Sequence, residues 1–317
     1  MTSKTHRLHK GEGRRADSNS GVSKNLVAVV AVALLAALFW AYWPVLVRLF
    51  KDWQRDDNYS VCQLVPLVAI YLIWRDRAAL RDLGASPCWW GLGLVLLAIA
   101  ARMYGLLYLF ESAERYSFVL ALAGLVLLVA GWRMFRRVFW ILLFLFLMVP
   151  LPGRIHNMIS GPMQNMATIG SVFLLEVFGV TVSQEGNVIL LNGSIPLAVA
   201  EACSGLRMLT AFIVVAGAMA FLVSRPVWQK VTLVLSSIPI AIGCNLVRLC
   251  VTAMLYMAVD SETAERFFHD FAGLTMMPIA VFLLFGELWL MNKLIVPDSA
   301  AASDEKVAEG RKGEDPA

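Results

Sequence analysis

The chain has 317 residues, 59% hydrophobic and only 16% charged, with a mean hydropathy of +0.69. A soluble domain is nearer half apolar and about a quarter charged, so one large water-soluble core is excluded and a polytopic membrane protein is indicated. The net charge of +4 is segregated along the chain, and a basic tail beside a membrane span reads as a topology signal, not as a nucleic-acid site.

Residues 1–24 are polar and basic (Lys4, Arg7, Lys10, Arg14, Arg15 and Lys24) and are expected to form a disordered cytoplasmic tail. The apolar stretch from Leu26 to Leu46 exceeds the ~7–15 residues of a signal-peptide apolar core and is expected to be a retained helix. Hydropathy places spans at about 26–46, 61–74, 89–109, 117–132, 137–151, 206–224, 229–257 and 274–294. The fold class is therefore all-α and polytopic, with about eight transmembrane helices in one membrane domain over 25–296. A second disordered cytoplasmic tail is expected over 297–317.

With both termini inside, 18 of the 27 Lys and Arg residues fall on the inner side and 8 outside, while Arg248 lies within a span. That bias obeys the positive-inside rule. Trp40 and Trp43 fall near an outer end, and Trp74, Trp89, Trp90 and Trp132 near inner ends, as an interfacial aromatic belt requires.

The topology leaves one long outer segment, 152–205. Ile155, Met158, Ile159, Met163, Met166, Ile169 and Phe173 recur at helical spacing and predict one or two amphipathic helices on the membrane surface, with the Met-rich stripe read as packing. The period then changes. Val180 and Val182, Val188 and Leu190, then Ile195, Leu197 and Val199 alternate, with turn signals at Glu185-Gly186-Asn187 and Asn192-Gly193. A small β-meander is expected to deliver Cys203 to the mouth of the sixth span.

Three outer residues suggest chemistry. Cys203, in Glu201-Ala202-Cys203-Ser204-Gly205, precedes a helix whose N-terminal dipole favours a thiolate. Arg248 interrupts an apolar span, where a guanidinium costs at least ~2.5–3.5 kcal/mol and so marks a functional candidate. It lies 17 residues beyond Val231, about 26 Å along the helix and toward the outer face. Asn245 is on the same helical face. A structural arginine paired with Glu201 or with backbone carbonyls is the alternative. His269, in His269-Asp270-Phe271-Ala272-Gly273, precedes the last span. His156 is also outside, so location leaves the base open between the two. Cys62 is near the same face, and a Cys62–Cys203 disulfide is a rival use of the thiol. No CxxC pair occurs among the five cysteines, so no metal, redox dithiol or cofactor is expected. A thiol, an imidazole and a guanidinium at one face are the parts of a cysteine nucleophile site.

At these residues the chain resembles the exosortase/archaeosortase family of membrane cysteine transpeptidases. The resemblance runs over about 58–294. It includes the proline-containing second span (Leu64-Val65-Pro66-Leu67), Val149-Pro150-Leu151-Pro152, Ala202-Cys203-Ser204-Gly205-Leu206-Arg207, Asn245-Leu246-Val247-Arg248, and His269 with Gly273. It implies catalytic roles for Cys203, Arg248 and His269, demotes His156, and leaves Glu201, Ser204, Gly205, Asn245 and Gly273 as supporting residues. It also implies a location in the cytoplasmic (inner) membrane with the active site outside, and an endopeptidase or transpeptidase activity. Its partners would be the C-terminal sorting tails of secreted proteins (a short motif such as Pro-Glu-Pro, a membrane helix and a basic cluster), membrane lipids, and an envelope acceptor nucleophile. The family is linked to exopolysaccharide systems. Met208 stands where a small polar residue is common, and the tail after Val296 is too short for the soluble domain of some members. The rival function is a transporter or assembly component for a polysaccharide or lipid-linked precursor, with Arg248 binding an anionic head group.

Overall fold

The computed structural model describes residues 13–84, 86–193, 195–198, 205–259 and 278–293. These form two compact units, residues 1–156 and 157–317. Among the described residues, four segments are long and apolar enough to cross a membrane: Leu26–Arg55, Trp90–Leu107, Glu111–Met148 and Val227–Ala258. The helix Leu206–Leu222 is apolar but shorter.

Among the described residues, the regular structure of the first unit is all helical. Helix α1 (Gly13–Arg55) begins upstream of the apolar run at Leu26. A 3-10 turn (Asp57–Gln63), capped by the Asp56 carboxylate accepting from the Asn58 N–H, leads into α2 (Leu64–Arg75) and the short α3 (Arg77–Asp82). α4 (Trp90–Leu107) and α5 (Glu111–Leu145) follow. Between α4 and the first half of α5 the contacts pair Gly91 with Leu128, Val95 with Gly124 and Gly105 with Glu114. The two are therefore antiparallel. Glycine on both sides lets the backbones approach closely, which is how helices pack where lipid offers no hydrophobic drive.

α5 is two limbs. Straight, it would separate residues 116 and 146 by about 45 Å. Instead the Tyr116 and Phe146 rings stack with centroids 5.9 Å apart. The reversal is at Gly131, whose φ of 84° and ψ of −177° leave the helical region. The sequence pattern placed an inner loop around Arg133–Arg137, but these residues are already helical, and one glycine makes the turn. Such a break frees carbonyls that must find donors. The Ser86 N–H donates to the Ala130 carbonyl and the Cys88 N–H to the Leu128 carbonyl, each at 3.2 Å. The loop segment 86–88 therefore completes the broken ladder.

One end of this unit gathers Trp53, whose indole donates to the Met148 carbonyl at 2.9 Å, and the Arg48–Glu114 and Arg115–Asp52 ion pairs. The opposite end carries the Arg137–Asp76 pair at 3.5 Å.

Helix α6 (Gly153–Val177) starts in the first unit, which ends at His156, and the second unit holds the rest of it, a three-stranded meander, α7 (Leu206–Leu222), α8 (Val227–Ala258) and α9 (278–293). Strands β1 (Val182–Glu185), β2 (Val188–Leu191) and β3 (Ile195–Ala198) pair antiparallel in the order β1-β2-β3. Positive φ at Gly186, Asn192 and Gly193 explains the turn residues. The meander matches the sequence expectation, but the phase of β2 is the reverse. Ile189 and Leu191 are buried, not Val188 and Leu190. All four β2 residues are apolar, so alternation could not choose a face; cross-strand pairing with Leu197 does.

α8 is about 48 Å long and α7 about 26 Å. The two run antiparallel through the turn at 223–226, and the C-terminal part of α8 extends past α7. Ala167 and Leu175 from α6, Ile189, Leu191 and Leu197 from the sheet, and Leu249, Cys250 and Ala253 from that part of α8 form one core. A second core joins Met208, Phe212, Val215 and Ala216 of α7 to Leu233 and Ala241 of α8 and to Ala280 and Leu284 of α9. Arg225 donates to Asn292 at 2.9 Å and fixes the far end of α9 beside the α7–α8 turn.

A Cβ at Gly131 would lie 1.8 Å from the Ser86 carbonyl oxygen. Gly131→Val is expected to lower stability by about 1–3 kcal/mol from backbone strain, with a further loss from the collision. Gly93→Ala meets open space and is expected to be neutral or mildly stabilising. Thermal melts of the two variants in detergent check this; equal melts would contradict a glycine-dependent reversal.

Candidate functional site

The site is built on α8 and the start of α7. Asn245 and Arg248 lie one helical turn apart and are 2% and 7% exposed, so both are deeply buried. The Thr252 hydroxyl donates to the Arg248 carbonyl at 2.8 Å and holds the next turn. A buried guanidinium carries a large desolvation cost, which makes Arg248 a demanding side chain among the described residues of this unit.

Gly205 caps the start of α7 in the left-handed region, with φ of +89° and ψ of −1°. Its carbonyl accepts from the Leu209 N–H at 2.9 Å, the first turn of the helix. A Cβ there would sit 2.8 Å from Asn245 Nδ2 and 3.0 Å from its Cγ. Glycine is thus required twice, by the backbone and by the approach of the Asn245 amide. That approach seats the start of α7 on the α8 turn just below Arg248.

On the other side, α6 crosses α8 through small residues. A Cβ at Gly170 would meet the Leu246 side chain at 2.7 Å, and Ala167 and Ser171 are buried. Sequence reading singled out the opposite stripe. Met158, Met166, Ile169 and Phe173 are exposed, so that stripe is the outward face of one continuous helix, and the packing face is Ala167, Gly170, Ser171 and Leu175. The signal was present as small residues at three- and four-residue spacing.

Glu201, Cys203, Ser204, His269 and Gly273 lie outside the described residues. β3 ends at Ala198 with Leu197 in the core that includes Leu249 and Ala253, and the chain is described again at Gly205. The described residues that flank the Cys203 stretch, Leu197 and Gly205, both pack on α8. The stretch carrying His269 runs between the end of α8 and α9, whose Ala280 packs in the core that includes Met208 and Phe212.

His156 belongs to the first unit. Its Nδ1 shares a hydrogen bond with the Tyr59 hydroxyl at 2.9 Å. Tyr59 is 4% exposed, and burial pushes its phenol up to about 12, so it stays a neutral partner of the imidazole at physiological pH. Cys62 is a free thiol, 2% exposed, and a thiol so buried is inert. Among the described residues no group of His, Cys, Asp and Glu is arranged to hold a metal ion.

Gly205→Ala is expected to destabilise the protein by about 1–3 kcal/mol. Adding Asn245→Ala should restore part of this, because it removes the collision and leaves the backbone strain. A double-mutant cycle of melting temperatures in detergent checks the coupling; strictly additive effects would contradict the contact.

No curated protein and no solved structure matches the chain. A family model described as transmembrane exosortase matches residues 53–286. That range takes in α2 to α8, the meander and most of α9, along with the Gly205–Asn245 contact. It covers most of the chain, and the protein belongs to the transmembrane exosortase family.

Proposed function

We propose that the protein is a membrane cysteine endopeptidase or transpeptidase that cleaves C-terminal sorting tails of secreted proteins on the non-cytoplasmic side of the inner membrane. In this reading eight crossings leave both termini inside, and Cys203, Arg248 and His269 form the catalytic group. The observation that carries the reading is the close approach of Gly205 to Asn245, one turn from the buried Arg248. Cys203 is two residues before Gly205, and two residues of chain span at most about 7 Å. This short tether supports a thiol close to the α8 turn that bears the guanidinium. The packing of Ala280 supports the return of the His269 stretch toward the same end of the unit.

The chemistry follows. His269 takes the Cys203 proton, and the positive end of the α7 dipole, with Arg248, stabilises the thiolate. Sulfur attacks the scissile carbonyl carbon, and the carbonyl oxygen becomes an oxyanion that the Arg248 guanidinium stabilises. The C–N bond breaks as the His269 imidazolium protonates the leaving amine, which departs with the membrane anchor. The N-terminal fragment is left as a thioester on Cys203. Water or an envelope nucleophile, deprotonated by His269, then attacks the thioester and expels the thiolate.

Co-expression with a secreted protein carrying a Pro-Glu-Pro motif, membrane helix and basic cluster checks the reading on immunoblots. Cys203→Ala and His269→Ala should abolish processing with membrane insertion intact. Arg248→Ala should slow it by about 10²–10³-fold. His156→Ala should retain it. Full processing by Cys203→Ala would sink the proposal and favour a transport or assembly role.

A further inference from the structure

In the first unit α1 and α4 both pack against α5, and between them a cleft of about 600 Å³ opens beside Arg48, Arg102 and Glu114. Its walls are Trp43, Val47 and Leu106, which present apolar surface outward. The two guanidiniums are held in different ways. Arg48 pairs with Glu114, which is 5% exposed. Arg102 donates to the Ala41 carbonyl at 2.7 Å and stacks over the Tyr42 ring at 4.4 Å. Both of those partners are neutral. The Tyr42 hydroxyl is in turn 3.1 Å from the Ser117 hydroxyl, which locks the ring under the guanidinium.

The charge in the cleft therefore sums to one excess positive, from two arginines and one carboxylate. An arginine part-way along an apolar helix is costly unless an anion or water meets it. Guanidinium carries five N–H donors in a planar fork suited to phosphate. The structural partners of Arg102 occupy one of its terminal nitrogens and one face. Apolar walls on both sides exclude a small hydrophilic anion as the natural occupant and fit acyl chains.

We infer that this cleft is a binding site for an anionic phospholipid, with its phosphodiester on Arg102 and Arg48 and its acyl chains along Trp43, Val47 and Leu106. By the charge bias of the sequence, the leaflet is the outer one. The excess charge of one matches a monoanionic head group such as phosphatidylglycerol, and disfavours a zwitterionic one.

The test uses the full-length protein in a mild detergent, with binding read by native mass spectrometry and by the shift in melting temperature. Phosphatidylglycerol, phosphatidylcholine and inorganic phosphate are the probes. Phosphatidylglycerol should bind and raise the melting temperature, phosphatidylcholine should bind more weakly, and inorganic phosphate should do neither. Arg102→Gln should weaken phosphatidylglycerol binding about tenfold or more, the scale of one lost charge-assisted hydrogen bond. Glu114→Gln, which adds a second excess charge, should tighten it, and this variant reads the cleft even if Arg102→Gln fails to fold. Equal binding of the two lipids, undiminished binding by folded Arg102→Gln, or unchanged binding by Glu114→Gln would overturn the site. A shift produced by inorganic phosphate alone would overturn the lipid as its occupant.

Discussion

The contact between Gly205 and the Asn245 amide is the constraint on which the second unit's organisation rests. It sets where α7 begins relative to α8. A Cβ at position 205 would push the two apart, and L residues rarely adopt this backbone. The long α8 then serves two purposes. Its first half packs with α7 and α9, and its extension holds the meander and α6. Asn245 and Arg248 lie at the junction, where a buried charge can be met by segments from both sides.

The first unit solves a different problem by a related means. Helices in lipid gain little from apolar burial against one another, so they rely on close backbone approach and on satisfied hydrogen bonds. Gly91, Gly105 and Gly124 supply the approach between α4 and α5. Gly131 turns the chain back, and the backbone of Ser86 and Cys88 supplies the donors that the broken helix lacks. Polar pairs then close the ends: Arg48 with Glu114 and Arg115 with Asp52 at one, Arg137 with Asp76 at the other.

Much of this was legible in the sequence, for identifiable reasons. Gly186 and Asn192-Gly193 demanded positive φ, so the meander's turns could be read directly. Arg248 stood out because a guanidinium within an apolar run has no cheap explanation. Other features could not be read. The four apolar residues of β2 carry no alternation, so its buried face is decided by pairing with β3. The turn at Gly131 is a single residue with helix resuming at once, and hydropathy sees only the basic residues that follow. On α6 the eye goes to methionines and aromatics, yet close packing is made by Ala167, Gly170 and Ser171, whose lack of bulk is the signal. The Gly205–Asn245 contact joins positions 40 residues apart and needed the fold to become visible.

The central claim is that sulfur, guanidinium and imidazole share one pocket of the second unit. Short bifunctional thiol crosslinking measures it most directly, in a protein whose other cysteines are replaced by alanine. Cys203 is paired in turn with Arg248→Cys, His269→Cys and, as a control at the far end of α7, Val223→Cys. The prediction is efficient linkage of Cys203 to positions 248 and 269 and none to 223. If Cys203 reacts with a monofunctional reagent and links to neither 248 nor 269, the shared pocket does not exist.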